Sequence, residues 1–244
     1  MDAPAPALLP ANEESRLRAL QPYKVLTALP DIVFDEVARL AAKLFDVPIA
    51  LISLVDADAV WFKANFGMAE PQQVARQQSM CSVAILRDET TVFEDLDREP
   101  CRLVDPQVGE TLQMRFYAGH PLQSEGYNIG TMCLIGRQAR HFSSDERGRL
   151  QALAEVVSRL LQLRVALLDR SGVEPDLWLS LYEELDQYLS RIDTLKELAL
   201  WEDDATSLAA LAYQQSIADE ADIVISTLQQ HIQRIENDIK KEGN

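Results

Sequence analysis

Ile49-Ala50-Leu51-Ile52-Ser53-Leu54-Val55 and Val60-Trp61-Phe62-Lys63-Ala64-Asn65-Phe66, separated by a turn through Asp56–Asp58, decide the fold. The first run is almost wholly apolar, which fits a strand buried on both faces. The second follows after one short turn and reads as its antiparallel hairpin partner. Toward the N-terminus, Pro30 and Asp31 open a helix whose Val33, Phe34, Val37, Leu40, Ala41 and Leu44 recur every three or four residues, and Pro48 stops it. A shorter helix is predicted from Asn12, with Leu17 and Leu20 apolar and Pro22 at its end. Residues 1–12, rich in Ala and Pro, read as a loose tail.

Toward the C-terminus the chain stays strand-rich. A polar loop around Glu70–Gln78 leads to a helical turn from Ser79 to Leu86, and Thr90–Glu94 reads as a strand. The stretch from Asp95 to about Leu112, broken by Pro100 and Pro106, is read as irregular, and loops this long often line a functional site. Two strands follow, Met114–Leu122 and Tyr127–Ile135, joined by Gln123-Ser124-Glu125-Gly126. Ser143-Ser144-Asp145-Glu146 is a capping box that starts a third helix, carried by Leu150, Leu153, Val157, Leu160, Leu161 and Leu168. Gly172 and Pro175 place a boundary near 171.

The last stretch differs in kind. Trp178, Leu181, Leu185, Tyr188, Ile192, Leu195 and Ala199 alternate steps of three and four, as do Ala221, Ile225, Leu228, Ile232, Ile235 and Ile239. Two heptad seams around the acidic turn Glu202-Asp203-Asp204 predict an antiparallel helical hairpin, or coiled coil, about 37 Å or more long. So much apolar helix face predicts a homodimer with a mainly helical interface.

The 244 residues carry a net charge of −16, and residues 171–244 hold five basic and 16 acidic side chains, a net of −11. Such a chain repels phosphate backbones, so nucleic acid and anionic membranes are excluded as first partners. The acidic hairpin is instead expected to dock a basic surface of a signalling partner. Three cysteines make no disulfide framework, no run is long enough to span a membrane, and the N-terminus lacks a signal-peptide pattern, so a cytoplasmic location is expected. His120, His141 and His231 have no metal-ligand spacing and no metal is expected.

Four motifs sharpen the expectation: Asp56…Trp61-Phe62-Lys63…Gly67, Arg76-x-x-Ser79-x-Cys81, Arg115-Phe116-Tyr117-Ala118-Gly119-x-Pro121-Leu122 and Ile129-Gly130-Thr131-Met132-Cys133. In this order and spacing the chain resembles the GAF domain family of bacterial signalling proteins over about residues 12–168. The resemblance implies an α+β fold: a five- or six-stranded antiparallel sheet, helices on one face, a ligand pocket on the other, and dimerisation through flanking helices. With the C-terminal hairpin this gives a tail (1–12), a GAF-like domain (13–170) and an acidic hairpin (171–244).

The candidate ligand-binding residues are Trp61, Phe62, Cys81, Asp95, Arg115, Tyr117 and Cys133. Arg115 and Tyr117 alternate with Phe116 and Ala118, so they are expected to share a strand face. There Arg115 could hold an anion or pair with Asp95 or Asp105, and Tyr117 could stack or donate a hydrogen bond. Cys81 and Cys133 occupy motif positions that are either packing sites or redox groups. No catalytic set is assigned. Some relatives of the fold reduce free methionine sulfoxide with cysteines near the pocket, and Cys101 in the long loop would be the mobile nucleophile. Its neighbours Arg98-Glu99-Pro100-Cys101-Arg102 do not match those enzymes. A covalent bilin is not expected, since Ser82 and Leu134, not His, follow the two cysteines. The cofactor is left open. The expected function is a non-enzymatic sensor of a small molecule or redox cue, with a thiol-dependent reductase as the rival.

Overall fold

The structure is a computed structural model that describes residues 8–28, 31–68, 72–105, 107–168, 174–201 and 207–242. Its elements run in chain order as α1 (Glu13–Leu20), a 3-10 helix (Gln21–Ala28), α2 (Ile32–Leu44), β1 (Ile49–Val55), β2 (Ala59–Phe66), β3 (Gln73–Ala75), a 3-10 turn (Arg76–Gln78), α3 (Cys81–Ala84), β4 (Thr91–Phe93), α4 (Gln107–Leu112), β5 (Phe116–Ser124), β6 (Tyr127–Gly136), α5 (Ser144–Leu167), α6 (Glu174–Leu200) and α7 (Leu208–Glu242). The strands form one antiparallel sheet in the order β3-β2-β1-β6-β5-β4. This is the expected architecture. The sixth strand is β3, a three-residue edge strand inside the stretch read as a polar loop, and α4 is a short helix inside the stretch read as irregular.

All seven residues of β1 are buried, because both faces of the sheet are covered. Ala50, Ile52 and Leu54 join a core with α2, α5 and the first turns of the chain, while Ile49, Leu51 and Val55 join a second core on the opposite face. Asp31 caps α2, its carboxylate accepting from Val33 N–H at 3.2 Å. The capping box of α5 forms as expected: Glu146 N–H donates to Ser143 Oγ (3.2 Å) and Ser143 N–H to the Glu146 carboxylate (2.9 Å).

The helices α6 and α7 pack together and share the first core, through Leu181, Leu185, Leu189 and Ile192 on α6 and Val224, Ile225, Leu228 and Ile232 on α7. Seam residues Leu181, Leu185, Ile192, Ala221, Ile225, Leu228, Ile232 and Ile235 are thus buried inside one chain, where α6 and α7 pack on each other and on α2 and α5. The expected boundary near 171 lies outside the described residues.

The expectation of a loose tail through residue 12 is corrected where the structure describes it. Leu8 is fully buried in the second core, and its carbonyl accepts from Arg76 at 2.9 Å. Arg76, itself fully buried, also pairs with the Glu13 carboxylate and donates to the Asp56 carbonyl (3.2 Å). Arg16 binds the same carboxylate twice at 2.8 Å and donates to Val55 O at 2.6 Å. One carboxylate between two buried guanidinium groups staples the N-terminal helix to the end of β1 and to the segment that leads into α3.

Two predictions follow from this packing. A Cβ on Gly130 would sit 1.9 Å from Ser53 O across the β1–β6 pair, whereas nothing lies within 4 Å of one on Gly148, at an exposed position of α5. Gly130→Ala should cost about 2 kcal/mol or more, while Gly148→Ala should gain about 0.5–1 kcal/mol, both read from urea unfolding. Burial alone would raise the Glu13 pKa, but the hydrogen bonds and charges of Arg16 and Arg76 prevail and bring it from 4.5 down to about 2. A folded pKa below the unfolded one means stability that is complete above about pH 4.5 and is lost as pH falls toward 2. The group's contribution of about 3 kcal/mol at neutral pH should have dropped by about 2 kcal/mol at pH 3. Glu13→Gln should be less stable at pH 7 and should lose this part of the acid sensitivity; an unchanged acid profile would refute the assignment.

Candidate functional site

The face of the sheet opposite α2 and α5 carries a cavity of about 640 Å³. Ile49 and Leu51 of β1, Phe62 of β2, Val74 of β3 and Ile135 of β6 form its floor. Met80 and Cys81 at the start of α3, Val108 and Leu112 of α4, and Met114 form its walls, with Gly67 and Met68 at the end of β2. Gln78, Ser79, Asp105, Gln107, Gln113 and Arg137 supply polar groups. Arg137 is exposed, and no carboxylate among the described residues pairs with it.

Phe62 reaches this cavity because β2 is bulged. The register shifts between Ile52 and Ser53: Ala64 lies opposite Ile52, but Phe62, not Lys63, lies opposite Ser53. The extra residue turns Phe62 onto the cavity face. Its neighbour Trp61 lies opposite Leu54 and lines a separate groove with Lys24 and Asp56. Lys63 is buried on the helix side, where its ammonium donates to Leu26 O at 3.1 Å and sits 5.2 Å from the centre of the Phe34 ring. Burial pushes its pKa down, against the pull of Asp31.

The loop into α3 is fixed from several sides. Ser82 Oγ donates to Arg76 O at 2.7 Å, and Cys81 N–H donates to Ser79 Oγ at 3.2 Å. From β6, the Asn128 amide donates to Ile85 O (3.1 Å) and Arg87 O (3.0 Å), tying down the far end of the helix. These bonds aim Cys81 Sγ at Cys133 Sγ on β6, 3.7 Å away, with both thiols free. The Cys133 thiol donates to Cys81, and this outweighs burial; with Ser53, Thr131 and Ser79 it brings the Cys81 pKa down to about 6. The same hydrogen bond, with burial, pushes Cys133 well up. Burial likewise raises Tyr117, so its hydroxyl stays protonated.

Of the seven candidate residues, Phe62 and Cys81 line the cavity. Cys133 and Tyr117 do not: both are fully buried in the core beneath it. Tyr117 folds over Gly119, where a Cβ would lie 2.4 Å from the phenol oxygen, so it packs and is not presented to a ligand. The expectation that Arg115 and Tyr117 share a strand face is corrected. Arg115 precedes β5, is exposed, and pairs at 2.8 Å with Asp97, not with Asp95 or Asp105. It lines an adjoining cavity of about 520 Å³ together with Cys101. Asp95 is half-buried and its carboxylate accepts from Asp97 N–H at 3.1 Å, an Asx turn outside the cavity. Sequence reasoning missed the α4 wall. Val108 and Leu112, four apart just after Pro106, were the available signal.

Chemically, this is a mainly apolar chamber with amide groups, one carboxylate (Asp105), one guanidinium and one activated thiol among its described lining residues. No paired acid and base is found among those described residues. No group of three or more His, Cys, Asp or Glu that could hold a metal ion is found among the described residues. No helix among the described residues is long and apolar enough to cross a membrane.

A Pseudomonas aeruginosa protein named a cyclic di-GMP phosphodiesterase is 34% identical over 157 residues, which is 64% of this chain and 26% of that protein. The chain therefore spans about a quarter of this curated relative. Among solved structures, the GAF domain of an Acinetobacter phosphoenolpyruvate-protein phosphotransferase matches with a TM-score of 0.48 and 14% identity, covering 63% of this chain and 96% of that one. Free methionine-R-sulfoxide reductase from Neisseria meningitidis matches with a TM-score of 0.46 and 19% identity, covering 66% and 96%. At that similarity they say nothing about activity. The family model for the GAF domain matches residues 30–161, from the start of α2 into α5 and more than half of the chain; the chain belongs to the GAF domain family.

Proposed function

We propose that this chain is a regulatory sensor module of bacterial signalling, in which the cavity takes a small, mainly apolar organic molecule and the helical hairpin carries the response. One observation carries this: a cavity of about 640 Å³ with an apolar floor and, among the described residues, an Arg137 guanidinium paired with no carboxylate and no acid–base pair, which fits binding better than turnover. The relative named a cyclic di-GMP phosphodiesterase supports the signalling context, and its matched share of 26% supports a role as one part of a larger system.

A route from cavity to hairpin supports the output half. Phe62 faces the cavity, and the next residue, Lys63, is buried on the helix side. Asp31, which raises the Lys63 pKa, also pairs with Arg164 of α5 (2.8 Å) and accepts from Trp178 Nε1 of α6 (3.1 Å). A shift of β2 on ligand binding would act on the carboxylate that joins α2, α5 and the hairpin.

The low pKa of Cys81 favours a second reading, a thiol-dependent reductase of free methionine sulfoxide. Two assays separate them. The naphthalene sulfonate dye ANS, an apolar body with one anionic group, should bind the full chain saturably with enhanced fluorescence. Leu51→Trp, which fills the floor, should abolish this, and Arg137→Gln should weaken it about tenfold. Dye binding unaffected by Leu51→Trp would refute the pocket. Free methionine-R-sulfoxide supplied with thioredoxin, its reductase and NADPH should not be turned over. Cys81-dependent NADPH consumption would make the chain an enzyme.

A further inference from the structure

We propose that Cys81 and Cys133 form a dithiol site that a hydroperoxide entering the cavity converts to an intrachain disulfide. The inference goes beyond ligand binding and does not require an occupied cavity. Its basis is the 3.7 Å between the two sulfurs, one of which lines the cavity while the other lies sealed behind it. A disulfide needs a separation of about 2.05 Å, so the gap closes with a shift of about 1.7 Å. The structure assigns that shift to one side. Cys133 is fixed in the sheet between Leu51 of β1 and Gly119 of β5, whereas Cys81 opens a helix of four residues.

The protonation pattern suits the chemistry. Cys81 is the group held as thiolate and Cys133 the one that keeps its proton, while the nearby Tyr117 stays neutral. The Cys81 thiolate attacks the terminal oxygen of the hydroperoxide. An S–O bond forms, the O–O bond breaks, and the departing alkoxide takes a proton from solvent to leave as alcohol (as water, for hydrogen peroxide). The Cys133 sulfur then attacks the resulting Cys81 sulfenic acid. The S–S bond forms, the S–O bond breaks, and the released oxygen leaves with the Cys133 proton as water. Two thiols are oxidised by two electrons and one peroxide is reduced; a small dithiol then returns both thiols by exchange and becomes a disulfide itself. The new bond draws the start of α3 toward β6, which moves the cavity wall formed by Met80 and Cys81.

Cys101 provides an internal reference. It is half-buried and lines the adjoining cavity. The reduced 244-residue chain is treated with one equivalent of hydrogen peroxide or tert-butyl hydroperoxide under native conditions. It is then unfolded in guanidinium with N-ethylmaleimide, weighed intact and peptide-mapped. The expected product carries one maleimide, on Cys101, and a linked Cys81–Cys133 peptide; dithiothreitol returns three maleimides. Cys101→Ser should give the same link in the same yield, and Cys133→Ser should give Cys81 oxidation without any link. Three maleimides after oxidant, or a link that includes Cys101, would overturn the proposal. The mapping of the unaltered chain decides the matter even where a variant folds poorly.

Discussion

Everything in this molecule depends on a sheet with two apolar faces. In β1 successive side chains alternate between two cores, and none of the seven is exposed. A sheet of this kind is stable only when both faces are covered, and the chain covers them by different means. Long helices close one side, where α5 and α2 lie flat on the strands and the hairpin lies behind them. Among the described residues the other side is covered by α3 and α4, elements of four and six residues, by the segments around them and by Leu8. Such short pieces cannot tile a sheet as continuous helices do, and the space they leave is the cavity. The pocket follows from unequal cover on two equally apolar faces.

Local devices then shape that space. The bulge in β2 adds one residue, which sends Phe62 to the cavity and Lys63 into the helix layer. Gly119 leaves room for the Tyr117 ring to fold back against the sheet, and the phenol thus lies in the layer of the two sulfurs. Arg76 ties the turn that leads into α3 to Leu8 O, and the Asn128 amide holds the backbone beyond α3. The wall that carries Cys81 is therefore anchored at both ends and short in between.

Much of the fold was legible because its large elements are strongly periodic. The seven-residue β1, the apolar stripe of α2 and the Ser143–Glu146 box each satisfy one rule with many residues. β3 was not legible, because Gln73-Val74-Ala75 is an edge strand with one apolar face residue and no period to detect. The same holds for α4, whose six residues barely complete a turn and a half. In the site, proposing both Trp61 and Phe62 conflicts with the alternation of a strand, which sends neighbours to opposite faces. Which of the two faces the cavity is set by the bulge, a feature with no sequence signature here. The Arg115 expectation failed for a related reason. Alternation holds only inside the strand, and β5 begins one residue later. Cys81 and Cys133 were found individually, but their juxtaposition depends on how a four-residue helix lies against the middle of a sheet, which no spacing encodes.

The charge asymmetry also has an origin inside the chain. Residues 171–244 carry a net charge of −11 against −5 for the rest, which taken alone points to a basic partner. Yet on the docked face Asp186 pairs with Arg39 of α2, Asp193 with Lys43 of α2, Asp222 with Arg149 of α5 and Glu236 with Arg159 of α5. Part of the acidity is thus complementary to the basic side chains that the sheet-covering helices turn toward the hairpin. Such part-exposed pairs are worth about 0–1 kcal/mol each, too little to hold the helices in place. The buried Leu181, Leu185, Leu228 and Ile232 do that. What the pairs supply is register, since a helix that slips by one turn keeps an apolar stripe but loses its charge matches. The hairpin is held by its apolar seam and positioned by its charges.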